Sequence, residues 1–102
     1  MIGIDETAKI IVEHYGQPHQ ELQACQELSE LILLLAARDD QRNSGYKDHV
    51  AEEIADSLIM IEQIRIANGI TDKDVNAWIA KKLGRQLSRI EAESASSEST
   101  AF

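Results

Sequence analysis

The sequence lacks the features that direct a chain towards an oxidising compartment, a membrane or a nucleic acid. Its only cysteine, Cys25, rules out an intrachain disulfide and fits a reducing compartment. Eighteen acidic residues against ten basic residues give a net charge of −8, so no excess of positive charge is available to meet the phosphates of a nucleic acid polymer or an anionic membrane. No apolar run approaches the roughly 20 residues that a membrane-spanning helix needs.

Signals for secretion and for β-structure are also missing. The opening apolar stretch, residues 1–4, is too short for the core of a signal peptide, so we expect a cytoplasmic protein. No alternation of apolar and polar residues predicts a strand, and no repeat of 20 or more residues is visible. The 102 residues, 43% of them hydrophobic, are enough for one globular domain with a modest core.

Apolar residues recur at helical spacing along most of the chain, which predicts an all-α fold, a small bundle of about four helices. Thr71 and Asp74 match a capping box and open the last of them. From residue 93 onward the chain is rich in Ser, Ala and Glu without an apolar pattern. We therefore expect a helical domain over residues 1–92 and a disordered tail over residues 93–102.

Asp5 is predicted to cap the first helix, which runs through His14 and ends at Gly16. The second has Pro18 in its first turn and runs to about Arg38, and a polar loop over residues 39–47 follows it. The third spans about Asp48 to Asn68 and stops at Gly69, and the apolar stripe of the fourth extends to Ile90.

The second predicted helix carries five successive apolar residues, Leu31 to Leu35. A run of this kind surrounds the whole helix with apolar surface, so the helix must be buried on more than one side. A chain of this length offers too few partner helices to cover it, and we expect a homodimer or a homotetramer. Cys25 lies in an apolar part of the same helix and is predicted to be a small core residue.

Two of the predicted helices carry acidic residues on their apolar sides. Glu53 and Asp56 are three residues apart, so both carboxylates lie on one side of the third helix, and Glu27 and Glu30 repeat this spacing on the second. A carboxylate on a buried face is costly unless it is paired or binds a metal. If the two helices pack antiparallel, four carboxylates converge and need a cation to stay ionised. Oxygen ligands alone suit Mg²⁺, Mn²⁺ or Ca²⁺.

Other interpretations of these residues remain open. Acids at the margin of a helix often reach solvent and bind nothing. A di-iron bundle would require the spacing Glu-x-x-His, which none of the three histidines provides. We expect surface or loop positions for all of them, His14, His19 and His49.

The last predicted helix has a basic side with two possible uses. Lys82 and Arg85 either solvate the helix and complement its dipole or bind phosphate oxygens. Trp78, on the same side, either packs against a neighbouring helix or stacks on a nucleobase.

Residues 17–90 resemble the MazG-like, all-α nucleoside triphosphate pyrophosphohydrolases. The signature of that family is EExxE, a spacer and ExxD on two adjacent helices, and this chain has QELSE at 26–30 and EEIADSLIMIEQ at 52–63. Gln26 stands where the family often has a glutamate. The resemblance implies that basic residues of the last helix, which Lys82 and Arg85 match more loosely, contact the triphosphate. It also implies four metal ligands, Glu27, Glu30, Glu53 and Asp56.

The function that the resemblance implies is Mg²⁺-dependent hydrolysis of a (d)NTP to a (d)NMP and pyrophosphate, with Mn²⁺ as a possible substitute. The metal would lower the pKa of a bound water, and Glu27 or Glu30 would help to accept its proton. The sequence contains neither a Gly-x-x-x-x-Gly-Lys-Ser/Thr loop nor a Ser, Cys or His constellation typical of a covalent intermediate. The alternative is a non-catalytic helical interaction or regulatory module with the same fold.

Overall fold

The computed structural model describes residues 4–37 and 44–100, with the backbone alone for residues 97–100. Within these ranges every regular element is an α-helix, which confirms the all-α prediction. The predicted helix end at Arg38 and most of the predicted loop that follows lie outside the described residues. Helix α1 spans Ile4–Tyr15 and α2 spans Gln17–Ala36. Helix α3 spans Tyr46–Ala67 and α4 spans Asp72–Thr100.

Local sequence signals set the helix ends, as predicted. Gly16 separates α1 from α2 with φ 89° and ψ 150°, a region that is open essentially to glycine alone. Gly69 follows α3 with φ 67°. At the start of α4 the backbone N–H of Asp74 donates to Thr71 Oγ1 at 3.1 Å, and the backbone N–H of Thr71 donates to Asp74 Oδ2 at 3.3 Å. This reciprocal pair confirms the capping box.

Asp5 differs from its predicted role as an N-cap because α1 already begins at Ile4. Its carboxylate lies in the first helical turn, where a negative charge complements the helix dipole. One of its oxygens is 3.0 Å from Arg65 Nη2 on α3. The pair joins the beginning of α1 to the last turns of α3.

The chain divides into two compact units, Met1–Gly69 and Ile70–Phe102. In the first unit α3 packs against both α1 and α2. The beginning of α2 contacts the end of α3 through Gln20 and Gln63, whereas Glu27 and Glu30 meet Glu53 nearer the connection. These two helices therefore run antiparallel, as the convergence of the acidic pairs requires. The apolar core residues are Ala8, Ala24, Leu34 and Met60.

In the second unit α4 continues without interruption to Thr100. Residues 93–100 are thus helical where the sequence predicts a disordered tail, and residues 101–102 lie outside the described part of the chain. The segment contains neither glycine nor proline, and its Ala and Glu residues favour a helix. Five apolar residues of α4 form an exposed stripe, namely Val75, Ile79, Leu83, Leu87 and Ile90.

The outer side of α2 is exposed, and this corrects the prediction for Cys25. Its thiol lies at the surface because two residues of helix turn the chain by about 200°, which places Cys25 almost opposite Glu27. Of the apolar run 31–35, only Leu34 is buried, while Ile32 and Leu33 are 64% and 67% exposed. None of the helices in the described ranges has the length and apolarity to cross a membrane.

Candidate metal centre

Three of the four predicted metal ligands come together where α2 packs on α3. One carboxylate oxygen from each of Glu27, Glu30 and Glu53 lies within 4.8 Å of the other two. Glu53 is buried, Glu27 is half-buried and Glu30 is exposed. The cluster therefore runs from the helix interface to the solvent, where a phosphate group has access to it.

Asp56 lies at the edge of this cluster. It is half-buried, one helical turn after Glu53, and its oxygens fall outside the set of three. Its negative charge nevertheless contributes to the raised pKa of Glu30. The arrangement thus offers three converging carboxylates with a fourth at the margin.

The close approach of like charges raises the pKa of Glu30 above its ordinary value of 4.5. The negative charge of Glu27 is the largest cause, followed by the loss of hydration and the charge of Glu53. A hydrogen bond to Glu27, which a protonated Glu30 can donate, and the charge of Asp56 act in the same direction. Neighbouring anions hinder ionisation, so the cluster has a deficit of positive charge.

Glu53 is the buried member of the cluster, and half of its carboxylate lacks a partner. Its Oε1 is 3.5 Å from His49 Nε2. Its Oε2 is buried and has no hydrogen-bond partner in the described ranges. A buried carboxylate oxygen without a partner is costly, and a divalent cation is one of the few groups that would stabilise it. The residues present therefore fit a hard cation with oxygen ligands.

Two side chains around the cluster were not predicted as site residues. His49 is a surface residue, as predicted, but it lies on α3 and reaches Glu53. When protonated it would offset part of the negative charge. Gln23 Nε2 donates to Glu27 Oε1 at 3.0 Å, which orients that carboxylate. Both residues precede the acid that they contact by four positions, and this spacing was the signal that could have identified them.

The residues predicted to bind substrate lie on α4, in the second unit. Lys82 and Arg85 line a surface groove together with Gln86 and Arg89, which gives that side of the helix a concentration of positive charge. Trp78 is 56% exposed, and the Lys81 Nζ atom lies 5.1 Å from the centre of its ring. The ring is thus available for stacking, with a cation held over it.

Comparisons with known protein families, with characterised proteins and with solved structures find no match for this chain.

Glu30→Gln should change how stability depends on pH in the absence of metal. The raised pKa means that the folded chain holds the Glu30 proton more tightly than the unfolded chain does. The free energy of unfolding must then fall as the pH rises from the ordinary glutamate value through the folded pKa, and the deficit persists at neutral pH. Denaturant unfolding in EDTA should show that, between about pH 4 and about pH 7.5, the free energy of unfolding falls less for the variant than for the wild type.

Glu52→Gln is the matched control because it removes the same charge from an exposed position of α3. It should retain the pH dependence of the wild type. If the two variants showed the same pH dependence of the free energy of unfolding, the net charge of the chain, rather than the carboxylate cluster, would control that dependence.

Glu53→Gln should separate the stability of the metal-free chain from its response to metal. The variant loses one of the converging negative charges, so the metal-free protein should be as stable as the wild type or more stable. A buried amide without partners would offset this by about 1–3 kcal/mol. Melting curves with and without Mg²⁺ should show that the metal-dependent rise in Tm has disappeared, whereas Glu52→Gln keeps it. A Glu53→Gln variant with the full rise in Tm would refute the assignment of the site.

Proposed function

We propose that the chain is a Mg²⁺-dependent nucleoside triphosphate pyrophosphohydrolase that converts a (d)NTP and water into a (d)NMP and pyrophosphate. The observation that carries the proposal is the convergence of three carboxylates around a buried, unpartnered oxygen of Glu53. The resemblance of residues 26–30 and 52–63 to the acidic motif of the MazG-like pyrophosphohydrolases supports the reaction class.

The four acids would form the metal site, each with a role that follows from its burial. Glu53, held between α2 and α3, would be the fixed ligand. Glu27, oriented by Gln23, would complete the inner part of the site, and Asp56 would act at its edge. Glu30 faces the solvent and would bind on the side from which substrate arrives. Bound Mg²⁺, or Mn²⁺ in its place, would neutralise the triphosphate and lower the pKa of a water ligand.

Hydrolysis at the α-phosphate needs a group that accepts a proton from the attacking water. Glu27 and Glu30 are the two candidates, and Glu30 suits the role better because it is exposed to the solvent from which the water comes. The neighbouring carboxylates raise the pKa of Glu30 in the metal-free chain, and a raised pKa makes the ionised carboxylate a stronger proton acceptor. The oxygen of the water forms a bond to the α-phosphorus, and the bond from that phosphorus to the bridging oxygen of pyrophosphate breaks.

Lys82 and Arg85 are the proposed phosphate-binding residues of α4, and Trp78 is the residue proposed to stack on a nucleobase. The groove formed by Lys82, Arg85, Gln86 and Arg89 supports the first role, because guanidinium and ammonium groups donate strong hydrogen bonds to phosphate. The exposed ring of Trp78 supports the second.

Self-association into a homodimer or homotetramer is the second part of the proposal. The outer side of α2 is exposed and carries no charged residue from Leu22 to Ala36, so two copies of an acidic chain can meet there with few like charges opposing one another. The hydroxyl of Ser29 donates to the backbone oxygen of Gln26 at 2.7 Å and can be buried at little cost. The residues of this outer face are Leu22, Cys25, Gln26, Ser29, Ile32, Leu33 and Ala36.

The remaining partners follow from charge and cysteine content. A net charge of −8 argues against nucleic acid polymers and anionic membranes as ligands. The exposed thiol of Cys25 suits the reducing conditions of the cytoplasm. We therefore place the enzyme in the cytoplasm, with a free nucleotide as its substrate.

A non-catalytic interaction module with the same fold is the alternative. The exposed apolar residues of α2 and α4 favour it, since surfaces of this kind mark protein contacts. A Mg²⁺ or Mn²⁺ thermal-shift titration separates the two functions. If the chain is the metal-dependent enzyme, the metal should raise its Tm. If the chain is the interaction module, the metal should leave its Tm unchanged.

The position of ¹⁸O after turnover in labelled water identifies the bond that breaks. Attack at the α-phosphate should place the label in the nucleoside monophosphate and leave the pyrophosphate unlabelled. Asp56→Asn should abolish turnover by removing the marginal carboxylate, whereas Glu52→Gln should preserve it. Label in orthophosphate, with a diphosphate as the other product, would show attack at the γ-phosphate and would exclude the proposed reaction.

Leu33→Glu should dissociate or unfold the assembly. The variant places a negative charge on the uncharged outer face of α2, where two copies would bury it without a partner. Light scattering should give an oligomer for the wild type at micromolar concentration and a monomer or unfolded chain for the variant. Ile10→Glu changes an apolar residue of similar exposure, 56%, on α1 and should remain oligomeric. A wild-type mass equal to that of one chain would refute self-association.

A further inference from the structure

A chain of hydrogen bonds crosses the packed interface of α2 and α3 away from the acids. Gln20 Nε2 donates to Gln63 Oε1 at 2.7 Å, and both residues are buried. His19 Nδ1 lies 2.6 Å from Gln20 Oε1, and Gln63 Nε2 donates to Met60 Sδ at 3.6 Å. The oxygen and the nitrogen of each amide thus have a partner. Apolar side chains of the same size could fill this part of the interface without any hydrogen bond.

The amide pair and the acids share the same side of each helix. Gln20 precedes Glu27 by seven residues, and Gln63 follows Asp56 by seven residues. Seven residues are two helical turns, which return to nearly the same side of the helix at a distance of about 10.5 Å. If α2 slides along α3, the amide pair and the carboxylates are therefore displaced by the same distance.

The observed register of α2 against α3 pairs the two amides with each other. A slide of one turn in the direction that brings Ala24 opposite Gln63 would leave that amide beside a residue that is 1% exposed and has no hydrogen-bonding side chain. One turn is about 5.4 Å, more than the 4.8 Å within which the three carboxylate oxygens lie. The same slide that leaves the amides without partners would separate Glu53 from Glu27 and Glu30. Apolar contacts, by comparison, discriminate weakly between registers.

We infer that Gln20 and Gln63 are positioning residues, whose hydrogen bond fixes the register of α2 and α3 and so assembles the carboxylate site. The inference rests on the proposed metal site. It assigns a purpose to a buried polar pair that stability alone does not require, because isosteric apolar residues at such positions are often as stable or more stable.

The test is the double variant Gln20→Met/Gln63→Met, which keeps the volume of both side chains and removes the hydrogen bond. Mn²⁺ binding measured by calorimetry should weaken by about tenfold or more, while circular dichroism and the melting transition show a folded helical protein. Asn76→Leu likewise replaces an amide by an apolar side chain of similar volume, at an exposed position of α4, and should bind within about twofold of the wild type. A folded double variant that also binds within that range would overturn the inference and leave the metal site intact.

A measurement on the wild type covers the case in which the double variant does not fold. Coupling between register and metal is reciprocal, so Mg²⁺ should slow the hydrogen exchange of the Gln20 side-chain amide by about threefold or more. The side-chain amide of Asn76, which is exposed on α4, should not change. Unchanged exchange at Gln20 under saturating Mg²⁺ would overturn the inference. A wild type that binds neither metal would overturn the metal site and this inference together.

Discussion

Repulsion among carboxylates at the contact of α2 and α3 is the constraint on which the rest of the molecule depends. Among the residues that the structure describes, eight are buried and four of these are polar or charged, namely Gln20, Glu53, Ser57 and Gln63, so apolar burial offsets little of that repulsion. Gln23 compensates in part, because its amide donates a hydrogen bond to Glu27, while His49 lies beside Glu53. A cation at the proposed metal site would supply the positive charge that these contacts leave missing.

Sequence periodicity identified the helices and the sides on which the acids lie, because both follow from local spacing. The glycines after α1 and α3 and the capping box of α4 are local signals too, and they mark helix ends correctly. The same spacing places Cys25 almost opposite Glu27, so its exposed position was within reach of the periodic pattern and the prediction for it was wrong. The unpredicted Gln20–Gln63 pair has a different origin, because it depends on which residues face each other across two helices, and a single periodic pattern contains no information on register between helices.

The two sides of α2 have opposite chemistry. The side towards α3 carries the acids and amides, whereas the outer face is uncharged and exposed. If a second copy of the chain covered the outer face, α2 would be buried between that copy and α3. Both neighbours would then restrict the movement of the carboxylates that α2 carries. Self-association and metal binding would then support each other, since a partner that covers the outer face also stiffens the helix that supplies Glu27 and Glu30.

The place of the acids within the antiparallel pair has a consequence for folding kinetics. Gln20 and Gln63 are 43 residues apart, whereas Glu30 and Glu53 are much closer along the chain and nearer the connection between α2 and α3. Shorter loops close at a lower entropic cost, so the hairpin would close first at its most repulsive end. Neutralising that end with a cation would then increase the rate at which the two helices find each other, as well as the stability of the result.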